Sequence, residues 1–85
     1  MAYRTQEARL RDGARAIRVL SEPHPGSLDD LINRLDVVMA GALALQSLED
    51  LGSTEANEQA WNDMLRLEKE GDALRKKIEW LKTQN

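Results

Sequence analysis

The chain has no cysteine, one histidine, two prolines, three aromatic residues and five glycines in 85 positions. Without cysteine, disulfides, thiol catalysis and thiolate zinc sites are all excluded. The single imidazole, His24, sits between Pro23 and Pro25 and excludes a multi-histidine metal cluster. It reads as a turn residue, where a Ser-His-Asp grouping has no credible geometry. The glycines are dispersed, and none belongs to GxGxxG or GxxxxGK[ST], the loops that cradle phosphates. Paired acids such as Asp29-Asp30 and Glu49-Asp50 fall beside expected helix ends, where they act first as capping and dipole residues. The expectation is a protein that is not an enzyme and uses no cofactor or metal. No apolar run approaches the roughly 18 residues of a membrane span, and nothing resembles a signal peptide. A cytoplasmic setting is therefore expected.

What is present is helical periodicity. Apolar residues make up 41% and charged residues 32%, with a net charge of −3, a balance unlike that of a disordered chain. The length suits one small domain, with residues 1–85 forming a single helical unit, although a core this size is marginal on its own. Three helical segments are expected and no strand. The first runs over 2–20, with Tyr3, Leu10, Ile17 and Leu20 at helical spacing, and stops at the Pro/Gly turn 21–27. Ser27 opens a capping-box-like Ser-Leu-Asp-Asp before a second helix over 28–51, for which Gly52 is a suitable C-cap. Ser53 or Thr54 caps the third, over 54–82.

The third helix carries an a/d seam of Met64, Leu67, Gly71, Leu74, Ile78 and Leu81. The second carries Leu28, Leu31, Leu35, Val38, Ala42 and Leu45. Folded antiparallel about Gly52, the seams align with large residues opposite small ones, including Leu35 over Gly71 and Leu45 over Ala60. At roughly 35 and 42 Å these helices read as a coiled-coil-like hairpin. From Glu55 to Asp72 there are six acids and two bases; from Ala73 onward, four bases and one acid. That asymmetry complements the macrodipole, and in an antiparallel self-pairing of third helices it brings opposite charges together.

Apolar residues remain outside the seam: Ile32, Met39 and Leu43 on the second helix, and Trp61, Leu65 and Trp80 on the third. The first helix, about 28 Å long, is too short to cover the whole hairpin. The expected fold class is thus all-α: a long antiparallel hairpin preceded by a shorter basic helix, a three-helix protomer in a dimeric or larger bundle. The small-residue stretch Ala40-Gly41-Ala42-Leu43-Ala44 and Gly13 are expected to admit another helix at close range.

Arg4, Arg11, Arg15 and Arg18 fall on one face of the first helix. They form either a recognition face or a face neutralised within the fold, since residues 21–60 carry eight acids and one base. Trp61, Trp80 and Tyr3 are candidate apolar anchors, or half-buried bundle residues. The leading functional expectation is a non-enzymatic protein–protein interaction module that modulates or inhibits a partner protein. Size, acidity and the lack of catalytic residues suit a small bacterial or phage accessory protein, and the apolar residues that the first helix cannot cover make a homodimer the expected state. The alternatives are an oligomeric binder of a small anionic ligand such as a nucleotide, held by the arginines, and nucleic-acid binding through the first helix. The overall acidity and the scarcity of aromatics among the bases weigh against nucleic acid. The architecture is shared with small helical-hairpin chaperones, antitoxins and phage inhibitors, an analogy that assigns no function.

Overall fold

Three short polar side chains set where the helices begin. The hydroxyl of Thr5 accepts the Ala8 N–H at 3.1 Å, that of Ser27 accepts Asp30 N–H at 3.1 Å, and that of Ser53 accepts Ala56 N–H at 3.1 Å. Each satisfies one of the orphan donors of a first turn. In the computed structural model, which describes residues 5–84, these caps open α1 (Gln6–Leu20), α2 (Leu28–Gln46) and α3 (Thr54–Thr83). The described residues are all-helical, with no strand.

The second helix is shorter than its sequence suggests. It ends at Gln46 with Ser47 as C-cap, not at Leu51. The Ser47 hydroxyl donates to the Leu43 carbonyl at 2.8 Å and closes the last turn. Partners from α1 then take the freed backbone: Arg9 donates to the Ser47 carbonyl at 2.9 Å, and the Gln6 side-chain amide bonds both the carbonyl and the N–H of Glu49, each at 3.0 Å. These tertiary bonds compete with the continuing helix and hold 47–53 as a connection. Gly52 does adopt a left-handed φ of 90°, but it leads into the α3 cap and does not terminate α2. Beside it, Asp50 accepts from Asn57 Nδ2 at 2.8 Å and from the Gly52 N–H at 2.9 Å, and these two bonds, the Asn57 one foremost, hold its carboxyl below the ordinary value.

α1 folds back onto α2 and touches α3 only lightly. The contact is a close one because two glycines permit it. A Cβ on Gly41 would collide with the Ala16 Cβ, and one on Gly13 would collide with the Leu45 side chain. α3 packs along α2 in the opposite sense: Gly71 lies under Met39 and Val38, while Leu67 lies near the earlier-facing Gly41. The side chain seated over Gly71 is therefore Met39, with its sulfur 2.7 Å from where a Cβ would stand, not Leu35. Arg75 reinforces that level by reaching the Met39 sulfur at 3.7 Å. The core gathers Ala16, Leu31, Val38, Ala42, Leu45, Met64, Leu67, Leu74 and Ile78. Of the residues outside the seam, Ile32 and Met39 are half-buried, whereas Leu43, Trp61, Leu65 and Trp80 remain exposed.

The two glycine contacts differ in what could give way. At Gly41 the obstacle is a β-carbon fixed to the α1 backbone; at Gly71 it is the far end of a flexible methionine. Gly41→Ala is expected to cost about 2 kcal/mol through overpacking, lowering Tm by roughly 8–16 °C. Gly71→Ala is expected to leave Tm unchanged or raise it, because up to about 1 kcal/mol of helix propensity is gained as Met39 swings aside. Thermal melts followed by circular dichroism test the contrast. The Asp50 bonds carry a pH signature. The folded state binds this proton less readily than the unfolded chain, so the stabilisation is complete above the unfolded carboxylate value and is lost as pH falls through the lowered one. The Tm advantage of wild type over Asp50→Asn is expected to shrink as pH is lowered from neutral into the acid range.

Candidate functional site

α1 exposes one face by burying the opposite one. Gly13 and Ala16 are buried against α2, with Ile17 and Leu20 packed beside them. Residues half a turn away must then point outward, and these are Arg11, Arg15 and Arg18, all exposed. Arg11 and Arg15 stand one turn apart, and Arg18 lies about 10 Å along the axis from Arg11. No carboxylate forms an ion pair with any of the three among the described residues; the ion pair there is Arg75 to Asp72 at 3.6 Å, exposed on α3. Among the described residues, the acids of 21–60 thus make no direct ion pair with this face. Arg4, the remaining arginine of this face, and Tyr3, a candidate apolar anchor, lie outside the described residues. Arg9, the fifth base of the segment, is half-buried and committed to the Ser47 carbonyl.

The surface beside the arginines is shallow and partly acidic. Arg15 borders a hollow with Asp12, Asp36, Val37, Ala40 and Gly41, which contains neither Arg11 nor Arg18. Two carboxylates in that hollow oppose a small anion, so it lacks the convergent donors that such a ligand needs. Trp61 and Trp80 are 59% and 60% exposed on α3. Trp61 borders hollows near the α3 N-terminus, with Asn57 common to both, and none of the arginines lines them. The arginines and the tryptophans thus lie on different elements as separate surfaces. No three His, Cys, Asp or Glu side chains gather as a metal site among the described residues, and no helix among them is long and apolar enough to cross a membrane.

The side chain that sequence reasoning passed over is Arg34. It is buried on α2, with only 7% of its surface exposed, among the core residues Leu31 and Val38. Its guanidinium donates to the carbonyls of Glu22 at 3.0 Å, Pro23 at 3.1 Å and Leu20 at 3.4 Å. These are carbonyls at and just past the C-terminal end of α1, where the macrodipole favours a cation. Nε stays buried without a partner. Two prolines in this turn supply carbonyls but no N–H groups, so donors must come from elsewhere. Arg34 could have been found as the lone base of residues 21–60, spaced three and four positions from Leu31 and Val38.

Compared with models of known families, with curated proteins and with solved structures, the chain matches none.

Because Arg34 joins the α1–α2 turn to the core, Arg34→Ala is expected to cost about 2 kcal/mol by removing three part-buried hydrogen bonds and the packing of the side chain, a fall in Tm on the order of 10 °C. Arg34→Lys, with a point charge in place of a planar fork, is expected to recover only part of that loss. Melting curves of the two variants beside wild type provide the comparison.

Proposed function

We propose that this chain is a non-enzymatic interaction module that binds an acidic face of a partner protein and modulates or occludes it. The observation that supports this reading is the row of three exposed guanidinium groups on the outer side of α1, with no ion pair to a carboxylate among the described residues. A helix anchored by Gly41 and Arg34 presents those groups on a rigid support, which limits the ordering cost of binding. Arginine suits such a surface because its planar donors pair with carboxylates in two-point fashion. The proposal includes a coiled-coil-like α2–α3 hairpin, assembly into a homodimer, and a cytoplasmic bacterial or phage setting as a small inhibitor-type accessory protein.

The test is affinity capture at low ionic strength with wild type and with Arg11→Glu plus Arg15→Glu, both checked for helicity. Stoichiometric retention of one protein by wild type, weakened about tenfold or more in the double variant, is the expected result. Retention that the double variant leaves intact overturns the arginine assignment. A rise in Tm of several degrees with a nucleotide, by linkage, would instead favour the small-ligand reading. Affinity for duplex DNA that falls steeply with salt would favour nucleic acid.

A further inference from the structure

The outward side of α3 carries six exposed residues in a row: Trp61, Leu65, Lys69, Asp72, Lys76 and Trp80. At 100° per residue they fall within an arc about 100° wide, on the side of α3 away from Met64, Leu67, Gly71, Leu74 and Ile78, which face the core. Their spacing is 4, 4, 3, 4, 4, which reads the same in both directions. An antiparallel two-fold contact sets residue i of one chain against j of the other and j against i, and a stripe with this spacing brings its own members level with one another.

We infer that this stripe is the contact between two copies of the chain, with α3 packed antiparallel against α3 about a two-fold axis level with Glu70 and Gly71. The inference rests on the homodimer reading above and specifies its surface and register. At each level Trp61 meets Trp80 of the second copy, Leu65 meets Lys76, and Lys69 meets Asp72, so every level occurs twice. The aromatic pairs close the two ends of a stripe about 29 Å long. The Lys76 stem covers Leu65 while its ammonium stays in water. At the axis, two lysines and two aspartates form a cluster in which each Lys69 lies level with an Asp72 of the other copy. Asp72 is free to join it, since its present contact with Arg75 is an exposed pair at 3.6 Å and contributes little.

The charge of the whole helix selects the same direction. Six acids and two bases from Glu55 to Asp72 come to lie along four bases and one acid from Ala73 onward. A parallel pairing would set Lys69 against Lys69 and acid against acid, and is disfavoured. This arrangement leaves the outer face of α1 uncovered, so the arginines of both copies stay available.

Sedimentation equilibrium is the test, with four variants. Wild type is expected near 19 kDa, twice the chain mass of 9.6 kDa. Lys69→Asp and Asp72→Lys each place four like charges at the axis, and each alone is expected to self-associate about tenfold or more weakly. Mixed one to one, the two are expected to regain the dimer as a heterodimer, a rescue that misfolding cannot mimic. In this cysteine-free chain, the double variant Leu65→Cys plus Lys76→Cys is expected to oxidise to a covalent dimer. The two positions are about 16 Å apart along one helix, too far for a bridge within a chain. Trp61→Ala is expected to weaken the dimer without loss of helicity. A wild-type mass of 9.6 kDa overturns both the homodimer reading and the stripe. A 19 kDa dimer indifferent to the charge exchanges and without the covalent product keeps the homodimer and overturns this surface.

Discussion

The approach of α1 to α2 at Gly41 and Ala16 is the contact on which the rest depends. A glycine in mid-helix is costly to helix formation, by roughly 1 kcal/mol relative to alanine. Here it lets a second helix come near enough for Ala16 to be fully buried. Once that contact is made, Gly13 seats Leu45, and Gln6 and Arg9 reach the backbone beyond the end of α2. The same docking turns Arg11, Arg15 and Arg18 away from the protein. Position of the charged face and position of the α2 terminus are thus two results of one packing event.

Arg34 plays the complementary part at the other end of α1. A short turn with two prolines leaves carbonyls that its own N–H groups cannot satisfy. A buried cation meets three of them, and the helix C-terminus there lowers the penalty of burying the charge. The turn is consequently tied to α2 and not merely a link between helices. The two ties, a steric one at Gly41 and a polar one at Arg34, make α1 a support of fixed orientation.

The third helix has a different economy. One side is committed to the core, and the other carries tryptophan, leucine and charge in water. An 85-residue chain has little apolar surface to spare, so large exposed side chains at both ends of a helix invite an explanation. In the proposed pairing they cover each other, while the polar centre of the stripe sets direction and register more than it adds affinity.

Much of the secondary structure was legible because its causes are local. Ser27 and Ser53 cap the helices they precede, the Pro/Gly turn stops α1, and the three-and-four spacing of Leu31, Val38, Met64, Leu67, Leu74 and Ile78 marks the residues that became core. The small residues at Gly13 and Gly41 announced close approach, although not which helix would approach. What tertiary structure alone decided are the matters in which two distant segments compete for one group. α2 stops at Gln46 because Gln6 and Arg9 take the backbone beyond it, and nothing within residues 47–51 signals those partners. Met39 displaces Leu35 over Gly71 because the register between helices follows from how all their side chains fit, not from the sizes of pairs taken singly. Arg34 is buried because carbonyls eleven to fourteen residues earlier in the chain lack donors. Periodicity records which face of a helix is buried; which partner buries it depends on the geometry of the whole chain.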